Sequence, residues 1–297
     1  MSAPVGFVGL GVLGSAIAEN LVAAGHALLG VDARPEAVAA VAGVTPAALG
    51  DLAGVGVVFT CLPHADALRA VIAGLEAVPA HGQAGGQLVV ELSTLSIADK
   101  EAARDALEAQ GRHAMDCPVS GNRIMALKRG LTAFASGSEA DFARAAPLLE
   151  AFCRKVHHVG EYGNGSKVKF AGNILNLVHN AVAAEAMVVA MKSGLDPKLF
   201  HEVISGSGSS SAMFEVRGRL MAENDYAAEG MNMSVPLKDA PLISEHAARL
   251  GVPLQLYQTG LQLYRAAEAQ GFAHLDAAVV CRVLERMANC ERPEAAT

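Results

Sequence analysis

The amino-acid sequence predicts an α/β protein: a Rossmann-type, doubly wound parallel-sheet domain followed by an all-α C-terminal domain. Three observations carry this expectation. From residue 5 to about 160, short apolar runs alternate with Ala-rich helical segments, as in βαβ units whose parallel strands are buried on both faces. Directly after the first run comes Gly9-Leu10-Gly11-Val12-Leu13-Gly14. Beyond Gly160 the strand-like runs stop and only helical patterns remain. At 297 residues the chain exceeds what one core usually organises, so two domains are expected, 1–162 and 163–297.

Taken in order, strands are expected at 5–10, 27–32, 55–62, 87–92, 113–117, 131–136 and 156–159, all in the parallel sheet. The glycine turn opens the first helix, which Gly25 ends. Crossover helices follow at 65–74, 97–110 and 138–152, the last capped by Ser138. Gly160-Glu-Tyr-Gly-Asn-Gly165 marks the domain boundary. Helices are then expected at 167–191, 197–204, 238–250 and 255–270, interrupted by a flexible Ser205-Gly-Ser-Gly-Ser-Ser-Ser211 stretch.

Composition narrows the function classes. With 52% hydrophobic and 18% charged residues and a mean hydropathy of +0.31, the chain can fill a large core and is unlike a disordered protein. Its net charge of −7 without clustered Lys or Arg argues against a nucleic-acid partner. Uncharged stretches such as 37–50 and 52–63 are too short to cross a bilayer and contain Gly or Pro, so no membrane span is expected. A small-molecule partner is left. Cys61, Cys117, Cys153, Cys281 and Cys290 are odd in number and form no CxxC pair, so reduced thiols are expected rather than a disulfide framework or a zinc site. His157 and His158 read as strand-end residues, and no metal site is predicted. Met1-Ser2-Ala3-Pro4 leads into the first strand without a basic region, which predicts a cytoplasmic protein.

The glycine turn has the context that dinucleotide binding requires. Gly9 permits the tight turn, Gly11 lets a diphosphate approach the backbone and Gly14 lets helix and strand pack closely, while the helix N-terminus offers N–H groups to phosphate. The second strand ends at Asp32, about twenty residues on, where a carboxylate can bind the adenosine ribose hydroxyls. Its charge would repel the extra phosphate of NADP, which favours NAD. Arg34 could instead pair with that phosphate, so NADP stays possible. Farther on, Lys169, Asn173, Asn176 and Asn180 fall on one face of an otherwise apolar helix. Asn is a mediocre helix former, so this stripe is expected to line a polar cleft, with solvation as the alternative. Lys169 is its one proton-exchanging group.

These residues resemble the β-hydroxyacid dehydrogenase family, which includes 3-hydroxyisobutyrate, tartronate-semialdehyde and 6-phosphogluconate enzymes. The likeness runs through Gly6-Phe-Val-Gly-Leu-Gly-Val-Leu-Gly14, Ala24-Gly-His26, Cys61-Leu-Pro63, Glu91-Leu-Ser-Thr94, Asp116-Cys-Pro-Val-Ser-Gly121, Gly163-Asn-Gly-Ser-Lys-Val-Lys-Phe-Ala-Gly-Asn173, Leu237-Lys-Asp239 and Gly251-Val-Pro253. The resemblance implies Lys169 as the catalytic lysine and Asn173 as a substrate-holding neighbour. It further implies that Ser120 and Gly121 bind the substrate carboxylate, that Leu62, Pro63 and Thr94 lie beside the cofactor, and that Lys238 closes over it. The chain departs from the family at Ser120-Gly121-Asn122 and Arg123-Ile124-Met125, where Gly and Ala are usual. Asn122 and Arg123 are therefore expected to reshape the acceptor pocket, Arg123 pairing with a second anionic group if it points inward; an outward course is equally open.

The implied reaction is hydride transfer between a nicotinamide cofactor and a small 3-hydroxy acid or semialdehyde, with Lys169 as general acid/base. Two rivals are an imine reductase-like enzyme, against which Lys169 counts, and a non-catalytic dinucleotide-binding assembly module. A small helical domain with apolar faces also predicts a homodimer or homotetramer.

Overall fold

Strand β1 (Val5–Val8) is buried at all four positions, because its neighbours on either side are parallel strands and its two faces meet two separate layers of helix. In the computed structural model, which describes residues 3–77, 85–227 and 232–292, β1 pairs with β2 (Leu28–Val31) and β4 (Val57–Thr60). The sheet is completed by β3 (Val44–Pro46), β5 (Leu88–Glu91) and β6 (His113–Asp116), in the parallel order β3-β2-β1-β4-β5-β6. Alternation along the strands divides the core in two. Phe7, Phe59 and Val90 pack with Ala16, Ile17 and Leu21 of α1 (Val12–Ala23) and with Leu148 and Leu149 of α6 (Glu139–Leu149). Val8, Val58 and Val89 pack instead with Leu68 and Ile72 of α3 (Ala65–Glu76) and with Leu107 of α4 (Ile97–Ala109). Helices on both faces make the sheet doubly wound, as the sequence predicts.

The runs expected at 131–136 and 156–159 do not join that sheet. β8 (Leu131–Ala135) and β9 (Cys153–His158) form a second, three-stranded sheet with β7 (Val119–Ser120), which runs antiparallel to β8. In β8 Leu131, Ala133 and Ala135 are fully buried and alternate with half-buried residues, a pattern that β2 of the parallel sheet shares. Several short elements escaped the sequence reading, among them β3, β7, α2 (Pro35–Ala39) and α5 (Arg123–Leu127). β3 ends in Pro46, which argues against a strand but is tolerated at the sheet edge it occupies.

The chain divides into two units, Met1–Lys169 and Phe170–Thr297. α7 (Asn164–Lys192) crosses from one to the other. The second unit continues with α8 (Pro197–Ile204), capped by the Asp196 carboxylate on the Leu199 N–H at 2.9 Å. A π-helical turn (Phe214–Gly218), α9 (Arg219–Glu223), α10 (Ser234–Arg249), α11 (Gln255–Ala269) and α12 (Val280–Met287) follow. α10 starts before the expected residue 238 because Pro236 sits in its first turn, where its missing N–H breaks no helical bond. α7 is, among the described residues, the one helix long and apolar enough to cross a bilayer; half of that stretch is buried within the fold, as in the core helix of a globular unit.

Candidate functional site

The glycine turn lies at the carboxyl ends of β1 and β4, where the strand order reverses and where ligands bind open α/β sheets. Each glycine meets a different constraint. Gly9 has φ +94°, and a Cβ there would stand 2.3 Å from the Cys61 carbonyl oxygen. At Gly14 a Cβ would stand 2.0 Å from the Gly9 carbonyl oxygen, so helix and turn touch through backbone. Gly11 has nothing within 4 Å of a built Cβ. It is the residue preceding α1, and no side chain caps the helix. Space in front of uncapped N–H groups is what a diphosphate needs, so the residues present fit a dinucleotide.

A cleft of about 820 Å3 opens over this turn, lined by Gly9, Gly11, Val12, Leu13, Gly14, Asp32, Arg34, Cys61, Leu62, Pro63 and His64, among others. Leu10 is buried beneath it and donates its N–H to Asp32 Oδ2 at 2.7 Å. Asp32 Oδ1 accepts the Arg34 N–H at 2.9 Å and lies 3.6 Å from the Arg34 Nε. The acid is thereby oriented, while carboxylate lone pairs remain for ribose hydroxyls. Leu62 donates its N–H to Ser93 Oγ at 2.7 Å, which joins the β4 end to the loop carrying Thr94. Thr94 itself is half-buried and is not among the residues lining the cleft.

Ser120 ends β7 opposite Thr132. Gly121 has φ +133°, and a Cβ there would lie 2.5 Å from Leu131, so the loop admits no larger residue without strain. Asn122 accepts the Met125 N–H at 2.9 Å and caps α5. Arg123 donates to the Val12 carbonyl at 3.0 Å and to Ser15 Oγ at 2.8 Å, with the Glu19 carboxylate 3.7 Å away. The guanidinium is thus held against α1, through Val12, Ser15 and Glu19.

The polar stripe of α7 is not uniform. Lys169, Asn173 and Asn176 are half-buried, but Asn180 is fully buried and donates to the Tyr264 hydroxyl at 2.7 Å and the Ala277 carbonyl at 2.9 Å. It satisfies core acceptors and lines no cleft. Asn173 donates to Asp239 Oδ2 at 2.9 Å, and Asp239 is buried with Lys238 Nζ 3.3 Å from its other oxygen. Lys238-Asp239 is therefore no loose surface pair: the acid fixes the orientation of the Asn173 amide.

Sequence reasoning missed a buried ionic cluster in the first unit. Lys100 is fully buried on α4, with Glu91 Oε2 and Asp116 Oδ1 each 2.7 Å from its Nζ. Burial alone would lower the ammonium's pKa, but Asp116 and Glu91 outweigh it and hold the pKa above its ordinary value. Asp116 also accepts the Ser166 N–H at 2.8 Å and the Ser166 hydroxyl at 2.9 Å, and Ser136 bonds to it at 3.2 Å. The Gly165 N–H goes to Ser136 Oγ at 3.0 Å. These residues cap the first turn of α7 from two other strand ends. Removing one member of such a buried pair typically costs roughly 3–5 kcal/mol. Lys100 sits on the buried face of an amphipathic helix, which is the signal that marks it in the sequence.

The family description "NAD binding domain of 6-phosphogluconate dehydrogenase" matches residues 4–160, and "NAD-binding of NADP-dependent 3-hydroxyisobutyrate dehydrogenase" matches 163–284. An L-threonate dehydrogenase of Escherichia coli is 32% identical over 285 residues, 94% of each chain. The chain belongs to the β-hydroxyacid dehydrogenase family. Solved β-hydroxyacid dehydrogenases share its fold: the 3-hydroxyisobutyrate dehydrogenase of Mycobacterium tuberculosis, determined with L-serine, superimposes with a TM-score of 0.85 at 29% identity, covering 96% of this chain and 99% of that one. The Salmonella typhimurium 3-hydroxyisobutyrate dehydrogenase gives 0.81 at 31% identity, covering 95% and 100%. In this β-hydroxyacid dehydrogenase the matched first segment contains the glycine turn, Asp32 and the Leu62-Pro63 edge, and the second contains Lys169 and Asn173.

Proposed function

We propose that the chain is an NAD-dependent dehydrogenase of small 3-hydroxy acids in which Lys169 moves the hydroxyl proton. Bound nicotinamide supplies the hydride acceptor in oxidation and the donor in reduction. The chain's own residues bind and orient. The open N-terminus of α1 at Gly11 takes the diphosphate, and Asp32 takes the adenosine ribose hydroxyls. Asp32 also favours NAD over NADP, since the oriented carboxylate would repel a ribose phosphate and already pairs with Arg34. Leu62 and Pro63 border the cofactor, and the family resemblance adds Thr94 and Lys238 as further cofactor contacts. Ser120 and Gly121 hold the substrate carboxylate. Asn122 and Arg123 shape that loop by capping α5 and tying it to α1.

Asn173, oriented by Asp239, holds the substrate hydroxyl. As the carbinol hydrogen leaves as hydride, neutral Lys169 takes the hydroxyl proton and a carbonyl remains; reduction reverses both transfers. The single observation that carries this reading is the pairing of an oriented Asp32 with the open Gly11 approach, on a chain whose α7 presents Lys169 one turn before Asn173. The presence of this lysine counts against an imine reductase-like reaction. Titration with NAD and NADP, followed by a panel containing L-threonate, 3-hydroxyisobutyrate and L-serine, tests the proposal. NAD reduction by at least one acid is expected; dinucleotide binding with no turnover would favour the non-catalytic module.

The second unit also supports self-association. Leu175, Val182 and Val189 recur every seven residues along α7 and are each more than half exposed. A stripe of that length on one helix fits a second copy of the same chain in a homodimer or homotetramer. Free thiols, three of the five buried, and a nicotinamide requirement fit a cytoplasmic enzyme.

A further inference from the structure

Three segments of the first unit meet in one buried cluster: the β5 and β6 ends pair directly with its cation, and the first turn of α7 joins it through Asp116. The β5 end supplies Glu91, whose Oε1 accepts the Ser93 N–H at 2.9 Å; Ser93 in turn holds Leu62 at the cofactor edge. The β6 end supplies Asp116, four residues before Ser120 of the substrate loop. The first turn of α7 supplies Ser166, three residues before Lys169, bound to Asp116 through both its N–H and its hydroxyl. Lys100 Nζ joins the two carboxylates. The helix start is also held by shape: a Cβ at Gly165 would stand 2.2 Å from the Phe134 carbonyl oxygen and 3.0 Å from that of Asp116.

We propose that Lys100 is a positioning residue for the reaction: through Glu91 and Asp116 it fixes the cofactor edge, the substrate loop and the first turn of α7 relative to one another, so that Lys169 reaches the substrate hydroxyl in line. Lys100 touches neither substrate nor cofactor. Lys169 and Ser166 share one helix, so a shift of the first turn passes directly to the lysine one turn on. Nucleophile and acid/base geometry is sensitive at this scale, since a misplacement of about 1 Å can cost roughly a hundredfold in rate. The inference rests on the assignment of Lys169 as the proton-moving group.

A lone Lys100→Met variant would leave two buried carboxylates without their cation and is a poor probe. Glu91→Gln with Lys100→Met keeps the cluster's net charge at its native −1, and the Gln oxygen can still accept the Ser93 N–H. Ser166→Ala removes a single bond to Asp116 and leaves the ion pairs in place. Both variants and Lys169→Ala are assayed as full-length protein for thermal midpoint, NAD affinity by calorimetry, and kcat and KM with whichever panel acid the wild type oxidises fastest. The expected result is a kcat about 10- to 100-fold lower in the double variant and several-fold lower in Ser166→Ala, with NAD affinity and KM near wild type.

Unchanged kcat in the folded double variant overturns the proposal, as does a fall in kcat that merely accompanies equal losses in NAD affinity and thermal midpoint. The Lys169→Ala control separates the two ideas. If it loses turnover while the double variant and Ser166→Ala keep theirs, only the positioning role fails. If Lys169→Ala keeps turnover, or the wild type oxidises none of the acids, the reading of the site fails and the positioning role falls with it.

Discussion

Leu10 and Asp32, twenty-two residues apart, are joined by a 2.7 Å bond from the Leu10 backbone N–H to the Asp32 carboxylate. The acid assigned to the ribose therefore also braces the glycine turn assigned to the diphosphate. Asp32→Asn keeps an oxygen for Leu10 but removes the charge. Charge-assisted hydrogen bonds of this kind are worth about 1.5–3 kcal/mol, so NAD affinity is expected to fall roughly 10- to 100-fold. NADP affinity should fall less or rise, narrowing the NAD/NADP ratio in calorimetric titration. An unchanged ratio would contradict the assignment.

Two of the three glycines of the turn, Gly11 and Gly14, are expected to separate by experiment. Gly11→Ala meets no atom within 4 Å, so the protein should keep its thermal midpoint while NAD binding weakens, because the methyl group occupies the diphosphate approach. Gly14→Ala drives a Cβ to 2.0 Å from the Gly9 oxygen, so its thermal midpoint should fall whether or not NAD is present. Thermal melts of both variants with and without NAD check the distinction.

The cysteines predict a labelling pattern and a pH dependence. Burial keeps Cys153 and Cys281 protonated, with pKa values pushed up to about 12, and raises Cys117 well above its usual range. Mass-mapped alkylation at pH 8 should modify the half-buried Cys61 and Cys290 first. NAD should protect Cys61 alone, because it lines the cleft. A thiol pKa raised from 9.0 in the unfolded chain to about 12 in the fold contributes stability that is intact below pH 9 and is lost as pH rises toward 12. Denaturation midpoints should fall across that window, and less steeply in a Cys153→Ala variant.

Val182 stands at the middle of the exposed stripe on α7. Val182→Glu places a charge where a second copy is proposed to pack, and light scattering should report a smaller species than the wild type. A wild type that is already monomeric would refute the homo-oligomer.

The parallel sheet was legible because its strands are continuous apolar runs and its glycine turn has a fixed geometry. The second sheet was not: Leu131 to Ala135 reads as one more apolar run, and its alternating burial is the same as that of β2 in the parallel sheet, so only its pairing with β7 and β9 sets it apart. Gly9, Gly11, Gly14, Asp32, Leu62 and Pro63 line one cleft; spacing singles out the glycines and Asp32, whereas Leu62 and Pro63 enter through the family resemblance alone. Asn180 misled because a helix face mixes residues aimed at solvent with residues satisfying core acceptors, and periodicity cannot tell them apart. Lys100, Glu91 and Asp116 lie on separate elements, so no local pattern links them; the link exists only once the sheet brings their ends together.

The central claim is that Lys169 carries the proton. The most direct measurement is kcat for Lys169→Ala across the pH range beside the wild type, with NAD affinity measured on the same preparations. A loss of about 100-fold or more in kcat at every pH, with NAD binding retained, is the predicted result. Near-normal turnover with a wild-type pH profile would contradict it.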